Sequence, residues 1–276
     1  MIPEPQRTYV LELWSELGAA AADFVLVGGQ ALKFAVPHAR ATKDFDFVLD
    51  VVAIRQGHVS LAVTLDRLGY AVVPESQNFQ FEKPIPNSAH TMRVELLAPE
   101  EYKRKNNFRV DVGDDVHARA CLGGSIALAE SDSYEIYGHL PSGVASRANM
   151  RVNRPHALVF MKCLAMNDRY RNSRGIDHYE HDRDSARTHM ADIVDILTVQ
   201  TDPARFRESF IKQFDGDLDL RARLSQITRE YFARNDSPGL LLYEEEHLSE
   251  NPDLAVEEVS AERNRAHRLL SALVFE

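Results

Sequence analysis

Cysteine and long apolar runs are both scarce in this sequence. Only two cysteines occur, Cys121 and Cys163, and they lie far apart along the chain. Cys163 falls within the apolar run LVFMKCLAM, which favours a packed thiol over a nucleophile. No apolar stretch approaches the length of a membrane span, and Met1 to Arg7 lack the basic and apolar regions of a secretory signal. We therefore expect a protein of the reducing cytoplasm, without a membrane partner.

An excess of positive charge is also absent. The chain has 42 acidic and 32 basic residues and a formal net charge of -10, which disfavours a protein that coats nucleic acid nonspecifically. Recognition at one place remains open, because one segment combines a single acid, Asp168, with several basic residues. These are Arg147, Arg151, Arg154, Lys162, Arg169, Arg171 and Arg174. The segment fits either a surface for triphosphate or RNA, or a set of arginines that pair with acids of the C-terminal region.

The order of apolar patterns predicts two domains. The composition, 44% hydrophobic and 27% charged over 276 residues, is that of a globular protein with a sizeable core. We expect a mixed-sheet domain over residues 1–150 and a helical domain over residues 151–276. Expected helices cover 5–20, 31–36, 54–68 and 155–170, and expected strands cover 24–27, 44–52, 70–73, 78–81, 92–97, 125–130 and 134–140. A polar connection over 172–189 precedes further helices that extend to about residue 273.

A glycine pair follows the first predicted strand. Phe24 to Val27 form a continuous apolar run, which suits a strand buried on both faces. Gly28 and Gly29 allow a sharp turn and let a ligand approach the backbone, because no Cβ is in the way. The short helix that follows has unpaired amides at its N-terminus, and such amides favour an anion. This arrangement predicts a phosphate site.

The next strand carries two aspartates, Asp44 and Asp46, that alternate with Phe45 and Phe47. Alternation places both carboxylates on one face of the strand, with Cα atoms about 7 Å apart, and both rings on the other face. Hard oxygen ligands suit Mg²⁺, with Mn²⁺ as the alternative ion. An exposed strand with ordinary solvated acids is the other interpretation, but the two phenylalanines require burial.

Four segments occur in the order found in one enzyme superfamily: VGGQAL, then RATKDFDF, then RVELLAP at Arg93 to Pro99, and finally a lysine-bearing helix followed by ADIVDIL at Ala191 to Leu197. They resemble the nucleotidyltransferase superfamily, which is DNA polymerase β-like, and most closely its AbiEii-type and MenT-type toxin branch. The superfamily's serine after the first glycine is Gly29 here, and the spacer to Asp44 is slightly long.

The resemblance implies an α+β (α/β) fold, a nucleotidyltransferase-type mixed β-sheet flanked by helices and followed by a helical C-terminal domain. It also implies a third catalytic and metal-binding acid beside Asp44 and Asp46, and Glu95 within MRVELL matches that position. Two metal ions need more oxygen ligands than one pair of aspartates provides. A different interpretation is an edge-strand acid that pairs with Arg93 or Lys103.

The resemblance further assigns roles to the helical domain. Lys162 interrupts an apolar helix and matches the lysine that contacts the triphosphate, with Arg169 as a second nucleotide-binding residue beside Gly28 and Gly29. A surface lysine that extends its ammonium into water is the alternative. Asp192 is the expected catalytic aspartate of the last motif. Asp195, three residues on, is the second candidate.

The implied reaction is nucleotidyl transfer, in which a hydroxyl attacks the α-phosphate of a nucleoside triphosphate and pyrophosphate leaves. Resemblance to the toxin branch implies an RNA acceptor, the 3′ end of tRNA, and a separately encoded antitoxin. Two other functions stay open. One is transfer to a small molecule such as an aminoglycoside, and the other is a non-catalytic nucleotide-binding or partner-binding module, favoured by Gly29 and opposed by the three acids.

Overall fold

The computed structural model describes residues 2–40, 42–57, 60–86, 91–103, 108–172 and 179–275. The chain divides into two compact units, Met1–Arg154 and Pro155–Glu276. The division falls at Arg154, slightly after the boundary expected at residue 150. Among the described residues, no helix is both long and apolar enough to span a bilayer.

The first unit is built on a mixed β-sheet. Its described strands are β1 (Phe24–Val27), β2 (Asp44–Leu49), β3 (Ala71–Val72), β4 (Gln80–Pro84), β5 (Thr91–Pro99), β6 (Arg109–Gly113), β7 (Val116–Cys121), β8 (Ser131–His139) and β9 (Ala145–Asn153). The order is β3-β4-β5-β2-β1-β9-β8, and β7 pairs with the end of β5 and with β6. Three pairs are parallel, β1 with β9, β2 with β5 and β5 with β7, while the other pairs are antiparallel. The expectation of a mixed α/β sheet is confirmed.

Aromatic packing seals one face of β1 and β2. The described helices of this unit are α1 (Gln6–Leu17), α2 (Gly28–Ala35), α3 (Val51–Gln56), α4 (Leu61–Arg67) and α5 (Gly124–Ala129). From α1, the ring of Trp14 lies 5.0 Å from that of Phe47 and 5.9 Å from that of Phe24, measured between centroids. Phe45 stacks on Phe47 at 6.0 Å. Burial of these rings forces the alternate residues of β2, the aspartates, to the opposite face.

The helix expected over residues 54–68 is two helices, so that prediction was wrong. Gly57 has an extended backbone (φ −72°, ψ 161°) that ends α3. Two side chains start the helices by capping their first turns: Asp50 accepts from the Ala53 amide, and Ser60 accepts from the Val63 amide. Local capping therefore outweighs the continuous apolar pattern across the break.

Other elements of the first unit also differ from the expectation. The strand expected over residues 125–130 is the helix α5, which Gly123 introduces in the left-handed region at φ 78°. The strand β9 was not expected, because ASRANMRVN has little apolar alternation. It nevertheless lies inside the sheet, parallel to β1, with Val25 opposite Arg151.

The second unit is helical in its described part. Its helices are α6 (Pro155–Asn172), α7 (Tyr179–Thr198), α8 (Pro203–Lys212), α9 (Leu218–Phe232), α10 (Pro238–Glu250) and α11 (Val256–Ser271). Pro155, Pro203 and Pro238 each stand at the start of a helix, where a missing amide costs little. The polar connection expected over residues 172–189 is shorter, because α7 already begins at Tyr179.

Phe47 provides a test of the sealed face. Phe47→Ala should lower the free energy of unfolding by about 3–5 kcal/mol, because it leaves a cavity between Trp14, Phe24 and Phe45. Val63→Ala is the control, since Val63 is 62% exposed and a surface change of this kind alters stability by about 0.5 kcal/mol or less. Urea denaturation measures both. Equal effects for the two variants would contradict the packing described.

Candidate functional site

The glycine pair forms the first turn of α2. Gly28 has φ 66°, in the left-handed region, and the residue before it, Val27, makes no side-chain cap. The sequence analysis expected the helix to start at Ala31. In the structure the helix already starts at Gly28, so both glycines belong to it. The first amides of a helix have no intrahelical acceptor, and together with the helix dipole they attract anions.

Asp46 lies directly against Gly28. A Cβ built on Gly28 would stand 1.9 Å from the Oδ2 atom of Asp46 and 2.8 Å from its carboxyl carbon. The register that pairs Val27 with Asp46 produces this contact. Only glycine permits so close an approach at a positive φ. The carboxylate therefore lies at the N-terminal turn of α2, where phosphate is expected.

Thr42 explains the absence of a side chain at Gly29. A Cβ at Gly29 would lie 3.0 Å from Thr42 Cγ2 and 3.2 Å from Thr42 Oγ1. The amide of Gln30 donates from Nε2 to the carbonyl oxygen of Thr42 at 2.9 Å, which holds this segment beside α2. A serine at position 29 would require the Thr42 side chain to shift by a few tenths of an ångström.

Asp44 is half-buried on the same strand face as Asp46. Burial raises the pKa of its carboxyl above the ordinary value, Arg93 opposes that shift, and the charge of Glu95 adds to it. Arg93 is its partner in the adjacent strand β5. The ionised form of Asp44 is thus poorly solvated by the protein, and a bound cation would stabilise it.

Glu95 is the register partner of Asp46, so it lies on the same sheet face as the two aspartates. Its two carboxylate oxygens, however, accept hydrogen bonds from protein donors. Oε1 accepts from Arg119, at 2.7 Å from Nε and 2.6 Å from Nη2, and Oε2 accepts from Gln80 Nε2 at 2.7 Å. The alternative interpretation expected a basic partner but named Arg93 or Lys103, and the partner is Arg119. Glu95 as a third metal ligand stays a prediction, and a metal ion there would share the carboxylate with Arg119 and Gln80.

The pair of aspartates has the chemistry of a site for a hard divalent cation. Among the residues that the structure describes, no group of three His, Cys, Asp or Glu side chains is arranged to hold a metal ion. Mg²⁺ is commonly bound through one or two carboxylates while substrate phosphates and water complete its shell. Asp44 and Asp46 fit that mode, because Gly28 leaves room for the Asp46 carboxylate beside the helix terminus.

In the second unit, Lys162 and Asp192 form a buried ion pair between α6 and α7. The Lys162 Nζ atom lies 2.5 Å from Asp192 Oδ2, and the two side chains are 3% and 1% exposed. The sequence analysis expected Lys162 to contact a bound triphosphate, or else to extend its ammonium into water. The observed partner is instead the buried carboxylate of Asp192. Asp195, the second candidate, is exposed. The functional roles of Lys162 and Asp192 remain predictions.

The basic segment does not form one surface of available charges. Its described members belong to both units, and each has a partner within its own unit. Arg169 contacts Asp182 at 2.6 Å and Arg171 contacts Glu230 at 3.6 Å. The other pairs are Arg147 with Glu135, Arg154 with Glu130 and Asp132, and Arg151 with backbone carbonyls of Ala22 and Leu128. Arg174 lies outside the described residues. These contacts favour the interpretation of arginines that pair with acids, although the partners of three of them lie in the first unit.

Sequence reasoning missed Arg119, Gln80 and Thr42. Arg119 lies on β7, whose sequence VHARAC alternates too weakly to be recognised as a strand. Gln80 stands at the start of β4, opposite Glu95, and only the strand register brings the two together. The one available signal was for Thr42, because a polar residue two positions before Asp44 continues the same strand face.

Gly28 provides a test of this geometry. Gly28→Ala should remove stabilisation of the fold by Mg²⁺ with nucleoside triphosphate, because the added methyl displaces the Asp46 carboxylate. Gly69→Ala is the matched control, since Gly69 also has a positive φ of 79° but nothing lies within 4 Å of its Cβ position. Both variants should lose about 1 kcal/mol or more through backbone strain. Melting temperatures with and without ligand would refute the geometry if Gly28→Ala kept the full ligand effect.

The buried ion pair provides a second test. Lys162→Met should lower the free energy of unfolding by about 3–5 kcal/mol at neutral pH, because Asp192 is left buried without its counterion. The double variant Lys162→Met, Asp192→Leu should recover most of that loss. Arg234→Gln is the control, because its pair with Asp236 is about three-quarters exposed on both sides and contributes about 1 kcal/mol or less. Urea denaturation that ranks Lys162→Met with the control would contradict the buried pair.

The comparison with protein-family models agrees with the resemblance. The family model described as "Nucleotidyl transferase AbiEii toxin, Type IV TA system" matches residues 13–269. A search of curated proteins finds no match. A solved structure from H. pylori, provisionally described as a nucleotidyltransferase, covers 98% of this chain and 96% of its own at 13% identity, with a TM-score of 0.39. Because the family model spans nearly the whole chain, the protein belongs to the AbiEii nucleotidyltransferase toxin family of type IV toxin–antitoxin systems.

Proposed function

We propose that this protein is a Mg²⁺-dependent nucleotidyltransferase that moves a nucleotide from a nucleoside triphosphate to a hydroxyl of RNA, the 3′ end of tRNA. The observation that carries the proposal is the contact between the Asp46 carboxylate and Gly28 at the start of α2. A ligand for a hard cation and a helix terminus suited to phosphate occur there at one point. A triphosphate with its bound cation needs both.

The proposed reaction is an in-line displacement. The oxygen of the acceptor hydroxyl forms a bond to the α-phosphorus and its proton is lost to solvent, the bond between that phosphorus and the bridging oxygen of the β-phosphate breaks, and pyrophosphate leaves. Asp44 and Asp46 would hold the cation, which when bound would neutralise phosphate charge and lower the pKa of the attacking hydroxyl. The amides of Gly28 and Gly29 bind a phosphate oxygen and so orient the triphosphate. The protein contributes chiefly position and charge.

The second unit enters the proposal through the family resemblance. Lys162 is proposed to serve the triphosphate, and Asp192 to orient the lysine, since the two are in contact. Arg169 already donates to Asp182, so its role as a nucleotide-binding residue rests only on its position two turns after Lys162 on α6. An antitoxin partner follows from the family's type IV system.

A small-molecule acceptor is the second candidate, and one observation favours it. The face that bears Asp44 and Asp46 also carries Glu82 and Glu95, through the register of β4 and β5 with β2. An acidic face attracts a cationic acceptor such as an aminoglycoside more readily than it attracts RNA. With a net charge of -10, RNA contact would have to be local.

Transfer of label separates these functions. The protein is incubated with Mg²⁺ or Mn²⁺, each labelled nucleoside triphosphate, and either total tRNA or a panel of aminoglycosides. We expect label on tRNA with wild type, and none above background with Asp44→Asn or Asp46→Asn, because an amide cannot replace an anionic ligand of Mg²⁺. Asp66→Asn, an exposed change on α4, should retain activity. Label on the drugs alone would replace RNA by a small molecule, and full activity of both site variants would refute the assignment.

Asp44→Asn should also change the melting temperature, which can be measured without an activity assay. Because folding raises the pKa of Asp44, the ionised carboxyl lowers stability at pH values above that raised pKa. The variant should therefore melt at a higher temperature than wild type at pH 7, and the difference should vanish once pH falls below the ordinary carboxyl pKa of about 3.9. Added Mg²⁺ with triphosphate should stabilise wild type and not the variant. A lower melting temperature of the variant at pH 7 would contradict the raised pKa.

A further inference from the structure

Arg119 lies on the same sheet face as the two aspartates, and only one edge of its guanidinium is engaged. Its guanidinium contacts Glu95 through Nε and Nη2, both directed at the single oxygen Oε1. Within the described part of the chain, no other residue accepts a hydrogen bond from it. The side chain is 45% exposed, whereas Glu95 beneath it is 13% exposed. A guanidinium has five N–H donors in a fixed plane, so the Nη1 edge remains available to a ligand.

Glu95 is held in place as the support of this guanidinium. Gln80 Nε2 donates to Oε2 from the neighbouring strand β4, so the carboxylate is fixed from two sides. An ion at Glu95 would have to share its oxygens with Arg119 and Gln80, which both already donate to them. These contacts fit a Glu95 carboxylate that orients Arg119 better than they fit a metal ligand.

The sheet face that bears the two aspartates carries more acidic than basic side chains, so a triphosphate bound there would need a cation nearby. Asp44, Asp46, Glu82 and Glu95 share the face, as do the two guanidiniums of Arg93 and Arg119, and Arg93 is occupied by Glu82 at 3.3 Å. A triphosphate would meet this acidic surface next to Asp46. Glu95 stands one strand from Asp46, at a spacing of about 4.8 Å, so the guanidinium that it holds lies within reach of phosphates there.

We propose that Arg119 is a nucleotide-binding residue that donates from its Nη1 edge to the triphosphate, and that Glu95 is a positioning residue for Arg119 and not a metal ligand. This rests on the proposed function, because it takes the triphosphate to lie at Asp46 and α2. Arginine suits the role, since its planar donors match phosphate oxygens in pairs.

A double-mutant cycle tests the proposal. Arg119→Gln, Glu95→Gln and the double variant are assayed for KM of the nucleoside triphosphate, kcat, and the Mg²⁺ concentration that gives half-maximal activity. We expect each single variant to raise KM by about tenfold to hundredfold, the loss typical of a hydrogen bond to a charged group. The double variant should be no worse than either single one, because both changes remove the same contact. The Mg²⁺ requirement should not move.

Controls keep this test separate from stability and from the proposed function. Arg67→Gln removes an exposed, ion-paired arginine of α4 and should leave KM unchanged. Arg119→Lys retains the charge, so its KM should lie between those of wild type and Arg119→Gln. It also serves as the test variant if Arg119→Gln folds poorly. Direct calorimetry of wild type with Mg²⁺ and a non-hydrolysable triphosphate decides whether nucleotide binds at all. No binding to wild type would refute the proposed function itself.

The contrary outcomes are distinct. If wild type binds nucleotide and KM is normal in Arg119→Gln and Arg119→Lys, Arg119 does not contact the triphosphate. If Glu95→Gln raises the Mg²⁺ requirement and lowers kcat, and its effect multiplies with that of Arg119→Gln, Glu95 is the third metal ligand and the positioning role is wrong. Either result overturns the proposal.

Discussion

The site depends on the absence of one Cβ atom, at Gly28. The backbone there adopts a positive φ, and the Asp46 carboxylate occupies the space that any other side chain would fill. That contact brings the end of β1, the start of α2 and the middle of β2 to one point. The packing of Trp14 and Phe47 on the opposite face fixes the rotation of β2 and so the direction of Asp46. Site geometry and core packing are thus parts of one constraint.

Several charged side chains of the proposed site are held by a partner. Glu95 is held by Arg119 and Gln80, and in the second unit Lys162 is held by Asp192. Buried charges require such partners, because desolvation of an isolated ion costs several kcal/mol. Asp44 differs, since burial raises its pKa and the nearby charges of Arg93 and Lys43 offset that cost only in part. A bound cation would relieve this cost, which is a physical reason for metal affinity in an otherwise paired surface.

Much of this arrangement could be predicted from short-range pattern. The alternation of acids and rings placed Asp44 and Asp46 on one face, while the family resemblance pointed to Glu95 as the third acid beside them. The partners of the charges could not be predicted in this way. Arg119 is 24 residues from Glu95, on a strand with weak alternation, and Lys162 is 30 residues from Asp192, on another helix. Periodicity identifies which side of an element is buried, but only the assembled register identifies what each charge meets.

Diffraction from crystals soaked with Mn²⁺ and a non-hydrolysable nucleoside triphosphate would test the central claim most directly. We expect an anomalous peak within about 2.2 Å of oxygens from both Asp44 and Asp46, and a phosphate within hydrogen-bonding distance of the Gly28 and Gly29 amides. Ligation by Glu95 at the same time would support the third-ligand prediction in place of the Arg119 contact. A nucleotide bound elsewhere, with no metal at Asp44 and Asp46, would contradict nucleotidyl transfer at this site.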